Sequence, residues 1–186
     1  MDLFLMDAIL KGNIPEKGKV LDVGCGEGRN GVFFIRNGYT YKGVDMDSSK
    51  IHLLEYLSLN LSNSAVSFES TSIDDLSALG DYDLVIASRV LHFAENAQHF
   101  LKMWNNIKAC LRPSGIIYFS MDSAIAKDYA MHRGDGLFEF QDGRVSFALT
   151  TSLYEKMNAG MREVESLQTI IYHNKRVQSF GLLQSS

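Results

Sequence analysis

With 186 residues, 46% of them hydrophobic and 22% charged, the chain has the makeup of one soluble globular domain large enough to bury a core. A net charge of -4 speaks against a broad electrostatic footprint for nucleic acid, although a local field can still hold a small anion. Two isolated cysteines, Cys25 and Cys110, form neither a disulfide framework nor a zinc site. His52, His92, His99, His132 and His173 show no metal-binding spacing, so no metal is expected.

In chain order, MDLFLMDAIL lacks the basic start and long apolar run of a signal peptide. Its residues Leu3, Phe4, Met6, Ile9 and Leu10 predict one short amphipathic helix instead. Nothing reads as a membrane span, and a cytoplasmic protein with no membrane partner is expected. KVLDVG (Lys19 to Gly24) predicts a first strand and RNGVFFIRNG (Arg29 to Gly38) a helix ended by glycine. TYKGVD (Thr40 to Asp45) is a second strand. From Ser48 to Asn60 the spacing of Ile51, Leu54, Tyr56, Leu57 and Leu61 is helical, with Ser48 as its N-cap.

AVSFES (Ala65 to Ser70) alternates like a third strand, and DYDLVIAS (Asp81 to Ser88) is a fourth, apolar enough at its centre to be buried on both faces. Ala94 to Leu111 predicts the longest helix, broken at LRPSG, before a fifth strand, GIIYFSMD (Gly115 to Asp122). LYEKMNAG (Leu153 to Gly160) predicts a last helix. Two strand-rich runs then flank a turn at Asn174, too short for anything but an antiparallel hairpin. The expected fold is α/β: a Rossmann-like, seven-stranded, mostly parallel sheet with helices on both faces and that hairpin at its end.

In such a sheet, ligands bind beyond the carboxyl ends of the strands, where the loop after the first strand sits. Glycines 24, 26 and 28 let a ligand approach bare backbone, and the following helix aims N–H groups and a positive dipole end at it. Gly26, Gly28 and Gly31 match G-x-G-x-x-G, whereas counted from the strand end the pattern is D-x-G-x-G-x-G with Asp22 inside the strand. The loop by itself admits a dinucleotide or S-adenosylmethionine. Asp45, ending the second strand, suits a ribose diol in either case.

VLDVGCGEGRN, GVDMD, SIDDL, YDLVIASRVLHF and LRPSGIIYFS, in that order, resemble the class I S-adenosylmethionine-dependent methyltransferases. The resemblance implies S-adenosylmethionine as cofactor. Asp22 and a backbone carbonyl would orient its ammonium group, with Ser88 and Arg89 nearby. Gly24, Cys25, Gly26, Gly28 and Asn30 would line its path. Asp45 would hold the ribose, Met46 would lie beside the adenine, and Ile73 and Asp74 would meet its edge. It also implies one domain over 1–186: an N-terminal helix (1–18), a cofactor-binding core (19–122), and a substrate-side segment with the terminal hairpin (123–186).

Only Pro15 and Pro113 are present, so the proline-rich motif of amino-directed nucleic-acid methyltransferases is missing, and no Pro-Cys pair serves cytosine chemistry. The acceptor is therefore expected to be a small molecule. GRN (Gly28 to Asn30) and LFEFQDGRVSF (Leu137 to Phe147) resemble the tellurite-resistance type, which implies a chalcogen oxyanion or another small nucleophile. Arg89 and His92 are the catalytic candidates, and His92, His132, Arg133 and Arg144 the candidate acceptor ligands, because cationic and donor groups suit an oxyanion. The competing functional classes are a non-catalytic S-adenosylmethionine-binding protein and an NAD-dependent oxidoreductase. Either a monomer or a homodimer fits, the dimer through an exposed apolar face of the first helix.

Overall fold

Short apolar runs rich in β-branched and aromatic residues set the centre of the molecule. The structure is a computed structural model that describes residues 1–59, 65–78 and 81–185. Five of those runs form parallel strands, β1 (Lys19–Val23), β2 (Thr40–Asp45), β3 (Val66–Ser70), β4 (Tyr82–Ser88) and β5 (Leu111–Asp122). Around them lie α1 (Leu3–Leu10), α2 (Gly31–Arg36), α3 (Ser48–Ser58) and α4 (Ala97–Ala109). After β5 come β6 (Ala130–Gly134), β7 (Leu137–Phe140), β8 (Val145–Phe147), α5 (Thr151–Asn158), β9 (Met161–Ile171) and β10 (Val177–Ser185).

The main sheet has seven strands in the order β3-β2-β1-β4-β5-β10-β9. The expected hairpin is present, but the last strand is inserted between β5 and β9. β10 runs antiparallel to both, so β9 points the same way as β5. Strand order reverses between β1 and β4, which opens the crevice for a ligand at their carboxyl ends.

Alternating side chains divide the core in two. Leu21, Val23, Val85 and Ala87 face α4 and α5, where Phe100, Met103, Trp104, Leu153 and Met157 cover them. Val20, Leu84 and Ile86 face α1 and α2, under Leu5, Ala8 and Phe34. Trp104, 1% exposed, stacks edge-on against Phe119 and donates its indole N–H to Met157 O at 3.1 Å. Its polar atom is thereby satisfied inside an apolar layer.

Several boundaries differ from the sequence expectation. α3 is capped by Asp47, not Ser48: Asp47 has the extended backbone of a cap, and its Oδ1 accepts from Ser49 N at 3.0 Å. Leu61 and the last expected residue of that helix, Asn60, lie outside the described residues. α4 starts later than Ala94, because Asn96 caps it by accepting from His99 N at 2.9 Å. β5 begins at Leu111, where the strand runs through the Pro113 segment instead of starting after it. The stretch from Ala130 to Phe147 folds into a separate antiparallel sheet, β6-β7-β8, anchored by stacking of Phe147 on Phe100.

Candidate functional site

The loop after β1 turns on glycine. Gly24 has φ +68°, and a Cβ there would stand 2.8 Å from Val90 Cγ2, so both conformation and space exclude a larger residue. At Gly26, φ +56°, a Cβ would meet nothing within 4 Å, because the backbone faces open cavity. That cavity measures about 540 Å³, within the range of small-ligand sites, and runs along the carboxyl ends of β1, β2 and β4.

Asp45 closes one side of it. Its Oδ2 accepts from Gly26 N at 2.8 Å and its Oδ1 from Asp47 N at 3.0 Å, which holds the carboxylate still while leaving acceptor capacity for a vicinal diol. Met46, 81% exposed, offers an apolar face next to it, and Ile73 lines the wall opposite. Asp74 also lines the cavity, but its carboxylate is engaged by His99 Nε2 at 3.2 Å and Lys102 Nζ at 3.1 Å. Phe93, 70% exposed, and Met103 complete an apolar rim that sequence reasoning did not single out.

At the β1 end the expected residues divide. Asp22 is 1% exposed and accepts from Tyr41 Oη at 2.8 Å. Burial pushes its carboxyl up to about 7, against the opposing pull of Tyr41 and of Arg29. Cys25 turns its thiol away, onto Ile51 and Leu54, and burial holds that thiol far above its ordinary value. It has only its backbone to give. Gly28 packs against Leu54, where a Cβ would come within 2.7 Å. Asn30 caps nothing with its side chain; its Oδ1 accepts from Asp2 N at 2.9 Å. Ser88 likewise donates to Asp2 Oδ2 at 2.9 Å and sits beside Ser120. Asp2, which sequence reasoning missed, thus ties the start of α1 to α2, β4 and β5.

Arg89 lines the cavity and has φ +60°, a backbone state that costs a non-glycine residue roughly 1–3 kcal/mol. Its N–H donates to Ser120 O at 2.8 Å, which holds the turn. On its far side stands a cluster around Asp122: Arg144, Arg176 and His92. Burial, followed by Arg176, keeps the Arg89 guanidinium below its ordinary value. Burial pushes the His92 imidazole down to about 4, with Asp122 pulling the other way and Arg89, Arg176 and Arg144 adding to the lowering, so the ring is neutral at physiological pH. His92 Nδ1 and Arg144 Nη2 are buried without a protein partner.

His132 and Arg133 do not join this group. His132 is exposed and leans on Phe138, and Arg133 is paired across the small sheet with Glu139. They sit on consecutive positions of β6, and neither is among the groups that contact Asp122. Arg176 and Asp122 were the missed members. One stands in a polar turn and the other at a strand end, and neither position differs in sequence from an ordinary solvated charge. Among the described residues no group of three or more His, Cys, Asp or Glu side chains is arranged to hold a metal ion. Nor is any described helix long and apolar enough to cross a membrane.

This sheet order, with a glycine loop and an acidic residue ending β2, is the fold of the class I S-adenosylmethionine-dependent methyltransferases. Solved structures agree. A methyltransferase from Methanosarcina mazei superposes with a TM-score of 0.75 at 16% identity, over 95% of this chain and 96% of that one. TehB from Haemophilus influenzae does so with a TM-score of 0.75 at 17% identity, over 97% of this chain and 62% of that one. A Burkholderia thailandensis 1,6-didemethyltoxoflavin N1-methyltransferase, solved with its substrate and S-adenosylhomocysteine, gives 0.73 at 17% identity over 97% and 76%.

The family model for tellurite resistance protein TehB matches residues 6–158, and the chain belongs to that family. Among curated proteins it is 29% identical to the ubiquinone biosynthesis O-methyltransferase of Rickettsia bellii, over 83% of this chain. The chain spans 65% of that relative's length.

Proposed function

We propose that this protein uses S-adenosylmethionine to methylate a small anionic acceptor, a chalcogen oxyanion or a similar small nucleophile. One observation carries the acceptor class: Arg89, which lines the cavity, lies within electrostatic reach of Arg144 and Arg176, which both pair with the buried Asp122. Three guanidinium groups set against the two carboxylates of Asp122 and Asp142 favour one further anion among them. The curated and structural relatives support the methyl-transfer chemistry.

The residues present fit the methyl donor. Open space over Gly26 admits its backbone-hugging amino-acid part, and Asp45 is held ready for the ribose. Asp22 would take the ammonium group, while Arg29, within electrostatic reach of Asp22 and Arg89, would face the carboxylate. When bound, the sulfonium supplies an electrophilic methyl group for in-line displacement. Holding the acceptor collinear with that methyl gives most of the rate. Arg89, Arg144 and Arg176 would do this by clamping the anion. His92, neutral and with a free Nδ1, would receive a proton from an acceptor that arrives protonated. Phe93 and Met46 would exclude water at the rim.

The test begins with calorimetric titration of S-adenosylhomocysteine, with NAD(H) in parallel. Binding of the former alone, followed by acceptor-dependent release of S-adenosylhomocysteine with tellurite or selenite, is expected. Turnover with a neutral phenol but with neither oxyanion would overturn the acceptor assignment. Binding of NAD(H) alone would overturn the cofactor. Tight S-adenosylhomocysteine binding without turnover on any acceptor would favour a non-catalytic role.

A further inference from the structure

Asp122 ends β5 with no exposed surface, yet it is surrounded by charge drawn from distant parts of the chain. Its Oδ2 accepts from Ser146 Oγ at 3.0 Å and from Arg144 Nη1 at 3.3 Å. Its Oδ1 accepts from Arg176 Nη2 at 3.2 Å and from Nε at 3.4 Å. Arg144 stands in the turn between β7 and β8, and Arg176 in the turn between β9 and β10. Two turns from two sheets therefore meet on one carboxylate.

A long cation in a surface turn ordinarily samples many rotamers, and ordering it on binding weakens the complex. Both arginines here are ordered in advance. Arg176 is gripped a second time by Gln178, whose amide oxygen, turned toward it, accepts from Nε and Nη2 at 3.2 and 3.0 Å. Arg144 is held by Asp142 Oδ2 at 2.7 Å and lies 5.8 Å from the centre of the Phe140 ring. Its Nη2 remains buried with no partner. Among the described residues Arg144 and Arg176 pair with Asp122 and Asp142 while Arg89 makes no ion pair, which leaves three guanidinium groups against two carboxylates.

We propose that Asp122 is a positioning residue for the acceptor: by accepting from Arg144 and Arg176 together, it couples them into one preorganised receptor for a small anion. The proposal rests on the anionic-acceptor reading above. Asp122 itself touches neither acceptor nor donor. Its effect is exerted through the two guanidinium groups, in the way preorganised donors stabilise charge in a site that excludes water.

The experiment titrates sodium selenite into protein saturated with S-adenosylhomocysteine, for wild type, R144Q, R176Q and the R144Q/R176Q double variant. A coupled receptor loses about tenfold or more in selenite affinity with either single change and little beyond that with both. Independent, additive losses would overturn the coupling. Asp122→Asn makes the site more positive, so a mere counter-charge role predicts tighter selenite binding. The positioning role instead predicts about tenfold weaker binding with S-adenosylhomocysteine affinity unchanged. Equal or tighter binding overturns it. If wild type binds no selenite, the anionic-acceptor reading falls by itself. Asp122 is then judged by phenylglyoxal modification of Arg144 and Arg176, mapped by mass spectrometry. Several-fold faster modification in Asp122→Asn supports the coupling, and unchanged rates refute it.

Discussion

Replacing Asp22 with asparagine separates the requirements of the donor site from those of the fold. In the ligand-free protein the Asp22 carboxyl, which among the described residues accepts a side-chain hydrogen bond from Tyr41, is pushed from 3.8 up to about 7 by burial. A folded-state value raised above the unfolded one means the folded protein binds more protons between the two. The stabilisation is full below pH 4 and is lost as pH rises through about 7. Three pKa units correspond to roughly 4 kcal/mol, and relaxation around the charge brings the effect to about 2–4 kcal/mol. Asparagine has the same shape, can still accept from Tyr41, and never ionises. Asp22→Asn is therefore expected to exceed wild type by about 1–2 kcal/mol at pH 5 and by about 2–4 kcal/mol at pH 8, a Tm rise of at least about 4 °C at the higher pH. Thermal denaturation of both proteins at the two pH values measures it. The same variant should bind S-adenosylhomocysteine at least tenfold more weakly, roughly one lost charged hydrogen bond. A pH-independent difference in Tm, or unchanged ligand affinity, would refute the assignment of Asp22 as a buried carboxylate awaiting an ammonium group.

Asp45→Ala removes the proposed diol acceptor and also its two contacts with the backbone N–H groups of Gly26 and Asp47. A loss of about 100-fold or more in S-adenosylhomocysteine affinity by calorimetry is expected, with little change in Tm. Gly31→Ala would bring a Cβ within 2.6 Å of Tyr41 Oη, on a fully buried ring that has nowhere to move. Overpacking of this kind costs about 1–3 kcal/mol, and urea denaturation should show it together with weaker ligand binding, because Tyr41 orients Asp22.

The strand, glycine turn and carboxylate proposed to hold the methyl donor are written in the chain's local pattern. Val20 to Gly28 reads as strand and turn because local rules suffice there. A buried strand needs apolar residues, a backbone at positive φ needs glycine, and a ribose needs a carboxylate such as Asp45 one strand away. Those constraints act over a few residues, so they leave a legible pattern. The residues proposed for the acceptor are less legible. By type His132 and Arg133 are equivalent to Arg144, and only the fold sets them apart: His132 leans on Phe138 and Arg133 pairs with Glu139, while Arg144 reaches Asp122. Asp122 and Arg176 meet only because β10 inserts between β5 and β9, bringing together residues 54 positions apart. Strand insertion depends on the packing of whole faces, not on any short motif. Which of many surface charges gather on the buried Asp122 follows from that insertion.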